Sequence, residues 1–277
     1  MKWELLTDLL PRPIANRLLA PVPVGAEAQL VADVYEDVTV LFTDMKGFTN
    51  FSSKLDPGAL QHFLNGMFSA FDEILARWGL HKIEVIGDAY FVVSGAPSTN
   101  SNKDRTPDEN AGFAAETALE MVRAVAEVCG DPDVRIRVGI HTGSVVGGVV
   151  GQKDPRFHLF GHTVDLANKM EEYGEPDKVH ASMDTHLRLM RLQDQHLKSN
   201  PSSKPMFETE DRGMIEIAGQ PEPVHTYFVH KSSFGREQRS KERRLGKAAR
   251  GNDFFTANSS LKFLGSKNKQ RSSILER

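Results

Sequence analysis

Lys82-Ile83-Glu84-Val85-Ile86-Gly87-Asp88-Ala89-Tyr90 reads as two short apolar runs joined by a Gly-Asp turn, and this hairpin decides the fold. Upstream, Val38-Thr39-Val40-Leu41-Phe42-Thr43-Asp44-Met45-Lys46-Gly47-Phe48-Thr49 is a strand that runs into a second glycine-containing turn. Each segment presents a carboxylate beside its turn, Asp44 in one and Asp88 in the other. Either aspartate alone would read as a turn former. Delivered together to one place, they suit a phosphate-bound divalent cation, which takes a few hard oxygen ligands and leaves the rest of its shell to water and phosphate.

Outward from the hairpin the pattern is β-α-β-β-α-β. Residues 38–43 form a buried strand. Asp56-Pro57 supplies an N-cap and a first-turn proline for a helix through Trp78, with Leu60, Phe63, Leu64, Met67, Phe68 and Phe71 on one face. Strands at 82–86 and 89–94 flank Gly87-Asp88. Thr106-Pro107-Asp108-Glu109 is a capping box for a second helix to about Val128. Val134, Ile136, Val138 and Ile140 alternate in a strand predicted to end at His141-Thr142-Gly143. This order predicts an α+β fold with a ferredoxin-like βαββαβ core. The C-terminal extension reads as strand, turn and helix over 157–173, a strand near 178–182 and a helix near 184–192. A polar loop at 198–205 and a strand pair at 214–217 and 225–230 follow.

Hydrophobic residues make up 39% and charged residues 26% of the 277-residue chain, the balance of a globular domain with appendages. No run approaches a membrane span, and the N-terminus lacks a signal-peptide pattern. The single cysteine, Cys129, has no intramolecular partner, so a cytoplasmic setting is expected, including the cytoplasmic side of a membrane protein. The net charge of -3 hides an asymmetry: from Lys231 onward there are 13 Lys+Arg against 4 Asp+Glu, whereas the preceding 230 residues carry 21 against 33. Residues 231–277 are accordingly read as a basic, disordered tail, with no nucleic-acid partner expected. Residues 3–19 carry apolar residues at helical spacing, broken by Pro11 and Pro13. Such a helix either packs on its own domain or joins an upstream signalling helix. The expected organisation is 1–35 linker helix, 36–230 main folded domain and 231–277 tail.

The motifs at 38–49 and 82–90 resemble those of the class III nucleotidyl cyclases, and Glu84 places the likeness with the guanylyl branch. Diguanylate cyclases share the topology, but their Gly-Gly-Asp/Glu-Glu-Phe signature does not stand at this hairpin. The resemblance spans residues 36–230 and implies the class III cyclase fold. It also implies conversion of GTP to cyclic GMP and pyrophosphate with two Mg²⁺ or Mn²⁺ ions held by Asp44 and Asp88. The turn Met45-Lys46-Gly47-Phe48-Thr49 would offer backbone amides to the β- and γ-phosphates. Glu84 would accept from the guanine edge, where adenylyl enzymes carry Lys. His158 stands where guanylyl enzymes usually have Cys and adenylyl enzymes Asp, and it can donate or accept.

A third set departs from the family pattern. Asp165 stands at the position of an Asn that orients the ribose, Lys169 at that of an Arg that grips the phosphate, and Gln220 at that of a phosphate-binding Lys. An Asp repels polyphosphate, and Lys lacks the planar fork of Arg. Asp165 and Lys169 are spaced i,i+4 and are expected to pair. Class III domains work as head-to-tail dimers with sites at the interface, one subunit giving the metal carboxylates and the other the remaining residues. The stretch Leu166-Ala167-Asn168-Lys169 is similar to the metal-donating α subunit of soluble guanylyl cyclase. The resemblance therefore implies a metal-donating subunit in a heterodimer with a second cyclase domain, under an upstream sensor or membrane receptor domain. A weakly active homodimer acting on GTP or ATP, and a pseudocyclase that binds nucleotide without turnover, stay open.

Overall fold

The computed structural model describes residues 10–20, 31–99, 102–129, 134–151, 155–203 and 205–232. The expected tail beyond Ser232, and residues 1–9 of the expected N-terminal helix, lie outside the described residues. Helix α1 (Arg12–Leu19) is followed by β1 (Ala32–Lys46), the one-turn α2 (Phe48–Ser52), α3 (Pro57–Trp78), β2 (His81–Ile86), β3 (Ala89–Ser94), α4 (Pro107–Val128) and β4 (Arg135–Val150). The chain continues through β5 (Arg156–Phe160), α5 (His162–Glu172), β6 (Val179–Ser182), α6 (Met183–Ser199), β7 (Phe207–Ile215) and β8 (Val224–Lys231).

The sheet runs β2-β3-β1-β4-β6-β8-β7, with β5 paired to β4. Each neighbouring pair among its first four strands is antiparallel, in the ferredoxin-like order, and β6 is parallel to β4. The predicted α+β class and core are therefore observed, and so are the local signals behind them. Asp56 accepts from the Ala59 amide at the start of α3, and Thr106 and Glu109 close a reciprocal capping box on α4, each worth about 1 kcal/mol. Alternation along β1 feeds two cores. Leu41 and Met45 pack with Phe63, Met67, Phe71, Ala115 and Met121 under α3 and α4. Val38, Val40 and Phe42 pack on the other face with Phe91, Val93, Phe157 and Leu159.

Several boundaries differ from expectation. The strand predicted to stop at Gly143 continues to Val150, because Ser144–Val150 pairs with β5 on one side and with the early part of β1 on the other. For the same reason β1 begins at Ala32, before residue 38. Helix α6 runs on to Ser199, into the expected loop. Leu10, Ile14 and Ala15 are buried against Val31, Val38 and Val40, so α1 packs on its own domain.

Candidate active site

Both glycine turns do what the hairpin reading requires. Gly47 (φ 85°) closes β1 into the first turn of α2, and Gly87 (φ 67°) opens the two-residue β2–β3 connection. Both angles lie in the left-handed region that side chains avoid. Asp44 projects from the end of β1, and Asp88 follows Gly87. They share one electrostatic environment: burial first, then the charge of Asp44, hold the Asp88 carboxyl above its ordinary value. Hydrogen bonds from its own amide and that of Met45, and the Arg137 charge, oppose the rise.

Arg137, absent from the expected site, stands directly opposite Asp44 in the β1–β4 ladder. Its Nη2 donates to Asp44 Oδ2 at 2.7 Å, and its Nη1 donates to the carbonyl of Glu172 at 3.3 Å. Nη2 is also 2.9 Å from Glu171 Oε1, but without hydrogen-bonding alignment. Glu171 Oε1 and Arg137 Nε are left buried without hydrogen-bond partners among the described residues. Burial above all pushes the Glu171 carboxyl up to about 7; Asp44, Glu172 and Asp88 add to the rise, and Arg137 opposes it. Glu171 reaches this place because β4 and α5 touch backbone to backbone: a Cβ on Gly139 would lie 2.0 Å from the Glu171 amide nitrogen. Three carboxylates and one guanidinium thus converge. Only the strand register shows that Arg137 faces Asp44, and Glu171 lay unnoticed two residues beyond Lys169.

The excess of acid over base fits a divalent cation. Asp44 and Asp88 are hard oxygen donors, close enough that the charge of Asp44 raises the Asp88 carboxyl, and Glu171 adds a third carboxylate whose Oε1 accepts no hydrogen bond among the described residues. Among the described residues no group of three or more His, Cys, Asp or Glu makes a ready cage, so the fit rests on the two aspartates.

The remaining expected residues fall in three places. Lys46, Gly47 and Thr49 are exposed at the β1–α2 turn and Phe48 is half-buried, whereas the Met45 side chain is in the core, leaving only its backbone to the site. Glu84 and His158, far apart in sequence, come together: Glu84 Oε2 is 3.9 Å from His158 Nδ1, both side chains partly exposed. That is too long for a hydrogen bond and leaves the polar edges of both available. On α5 the expected Asp165–Lys169 pair does not form. Lys169 Nζ instead bonds Glu172 Oε2 at 2.6 Å, one turn ahead, and Asp165 is exposed in the first turn, where a negative charge suits the helix dipole. Gln220 closes a turn through its amide to the Ile217 carbonyl at 3.0 Å.

The family model for the adenylate and guanylate cyclase catalytic domain matches residues 30–231. The chain belongs to this family. It is 37% identical to the rat guanylate cyclase soluble subunit beta-2 over 81% of its own length and 30% of that protein's. It is also 37% identical to the receptor-type guanylate cyclase gcy-28 of Caenorhabditis elegans, over 78% of this chain and 15% of that one. It thus spans under a third of these curated relatives. Among solved structures, the guanylate cyclase domain of RhGC from Catenaria anguillulae, in complex with GTP, superimposes with a TM-score of 0.60 at 31% identity. That match covers 72% of this chain and 98% of that domain. Among the described residues no helix is long and apolar enough to cross a membrane.

Proposed function

We propose that this chain is the metal-donating half of a heterodimeric guanylate cyclase site that converts GTP to cyclic GMP and pyrophosphate. The convergence of Asp44, Asp88 and Arg137 carries the reading, in a chain whose Asp165, Lys169 and Gln220 lack the fork and ribose contacts a complete site uses. In the reaction the ribose 3′-oxygen bonds to the α-phosphorus, the bond from that phosphorus to the bridging β-oxygen breaks, and the hydroxyl proton passes to solvent. Two Mg²⁺ or Mn²⁺ ions, held by Asp44 and Asp88, would lower the charge on the polyphosphate and favour the ionised hydroxyl.

This chain's residues do the rest of its half. Arg137 holds Asp44 in place and adds a positive charge beside the phosphates. The first-turn amides of α2, at Phe48 and Thr49, precede the first intrahelical bond and would be available to donate to a phosphate. Lys169, engaged by Glu172, is a poor stand-in for an Arg fork. An exposed apolar row supports the need for a second domain. Val34, Val146 and Phe160 are direct cross-strand neighbours, 68%, 43% and 49% exposed. In such a heterodimer the partner reads guanine in the productive site, and Glu84 and His158 line the second one. The likeness to an α-type subunit, the upstream sensor and the cytoplasmic location belong to the same proposal.

The test is a cyclase assay with GTP or ATP and Mg²⁺ or Mn²⁺. The chain is assayed alone and mixed with a guanylyl cyclase domain that has lost its own metal aspartates. Activity only in the mixture supports the proposal. Turnover by the chain alone comparable to a complete homodimer would overturn it, as would a silent mixture, the latter favouring the pseudocyclase.

A further inference from the structure

Strand β2 carries a fault that the sequence pattern does not announce. Residues i and i+2 of a strand share a face, so Lys82 and Glu84 should point the same way. They do not, because the β2–β3 register shifts between them: Lys82 pairs with Val92, but Glu84 pairs with Phe91. Directly paired residues share a face, and the two faces of β3 are distinct. Tyr90 and Val92 belong to the core under α3 and α4, whereas Phe91 and Val93 belong to the opposite core. Lys82 is therefore on the helix face, Ile83 packs in the opposite core, and Glu84 lies on that opposite side too, beside His158. A bulge at Ile83 separates the two charges. Without it, Glu84 would turn toward α3, away from His158.

What holds the bulge in register is a clasp on the helix face. Lys82 Nζ bonds both carboxylate oxygens of Asp72 on α3, at 2.8 and 2.9 Å. The Tyr90 hydroxyl donates to the same carboxylate. Tyr90 is fully buried, its ring stacked on Phe68 at 5.7 Å and edge-on to Phe71 at 5.3 Å, so it is a fixed post. The Lys82 ammonium lies 5.7 Å from that ring. A one-residue slip that removed the bulge by moving Lys82 would carry its ammonium off Asp72 into the opposite apolar core. The Lys82 and Asp72 side chains are 41% and 49% exposed, so the pair adds little to global stability. Its consequence falls on register.

We propose that Asp72, Lys82 and Tyr90 are positioning residues that, through the bulge at Ile83, turn Glu84 onto the purine-facing side of the sheet. They thereby set the preference for guanine over adenine at the site Glu84 serves. This rests on the reading of Glu84 as a base-reading residue, and the experiment separates the two.

Fluorescent methylanthraniloyl nucleotide is bound to the chain with Mn²⁺ and displaced by GTP or ATP, for wild type, Glu84→Lys, Lys82→Met, Lys82→Arg and Tyr90→Phe. Melting temperatures are recorded in parallel. Lys82→Met and Tyr90→Phe each lower the GTP-to-ATP affinity ratio about tenfold, the loss of one good contact to the base, while melting within about 2 °C of wild type. Lys82→Arg keeps the cation and the ratio. If Lys82→Met fails to fold, Tyr90→Phe, which preserves the ring packing, decides alone. A wild-type ratio in the clasp variants, beside a changed ratio in Glu84→Lys, overturns the clasp and spares the reading of Glu84. An unchanged ratio in Glu84→Lys, or no nucleotide displacement by wild type, overturns the reading and the clasp with it.

Discussion

Two regions of this domain, each expected to touch the nucleotide, are built on different terms. Around Asp44 the side chains are held by long-range partners. Arg137 comes from β4, Glu171 from α5 and Asp88 from the hairpin, and all meet at the end of β1. Around Asp165 and Lys169 the interactions are local. Lys169 pairs with Glu172 within one turn, and Asp165 sits exposed in the first turn of its helix. The first arrangement is costly, since it buries a carboxyl whose proton affinity is raised to about 7 and leaves one of its oxygens without a hydrogen bond. The second is ordinary helix-surface chemistry and asks nothing of the fold. A region that keeps a strained convergence of charge is built to receive a counter-charge; one that satisfies itself locally is not.

The largest effect should come from breaking the first region. Asp44→Ala or Asp88→Ala in the mixture described above should cut cyclic GMP formation by at least about 100-fold, because each removes an anionic ligand from beside the polyphosphate. Melting temperature should hold or rise for Asp88→Ala, since burial and the neighbouring Asp44 disfavour the charged Asp88 carboxylate. Retention of more than a tenth of the rescue activity would mean that these carboxylates do not hold the metal.

Repair of the second region is the converse. Asp165→Asn with Lys169→Arg and Gln220→Lys should raise turnover by the chain alone about 100-fold, the scale of restoring a transition-state donor. The exposed Asp165 and the solvent-facing Lys169–Glu172 pair leave room for these changes. If the triple variant stays at background, these positions do not limit the chain.

The sequence carried these two regions unequally. Asp44 and Asp88 were legible because each sits in a strand-turn motif whose glycine and apolar flanks restrict the reading. Arg137 was not legible, because opposing Asp44 is a property of the β1–β4 register and not of either strand. Glu171 was missed because its burial depends on the close approach of α5 to β4 at Gly139. The i,i+4 rule favoured Asp165 for Lys169, but Glu172 at i+3 won. Alternation could not foresee the bulge at Ile83, since it leaves the apolar pattern of β2 intact. Local signals, the caps of α3 and α4 among them, were read at their right places; what depended on register or on contact between elements was not.

A smaller effect sharpens the comparison through pH. The Glu171 carboxyl is held up to about 7 in the folded state against an ordinary 4.5. Between those values the native state binds the proton that the unfolded state has lost, so stability at this site is full below 4.5 and falls as pH rises through 7. The span corresponds to at most about 3 kcal/mol. In metal-free buffer the stability of wild type relative to Glu171→Gln should therefore decline between pH 5 and 8, read by denaturant unfolding. Parallel profiles would mean that Glu171 is solvated and that the charge convergence around Asp44 is weaker than its burial implies.

The smallest expected effect is the most diagnostic. Glu84→Lys in this chain should change GTP turnover of the rescued mixture by less than about twofold, a margin set by ordinary surface substitutions. Glu84 and His158 face each other across β2 and β5. In a head-to-tail pair they would serve the site whose metal ligands come from the partner, and that partner has been stripped of them. Guanine in the productive site is then read by the other subunit, whatever stands at position 84 here. The same substitution should still alter nucleotide preference in direct binding to this chain, so a silent result in turnover is not a silent residue. If Glu84→Lys switches the rescued reaction from GTP to ATP, this chain reads the base in the productive site, and the division between its two regions falls.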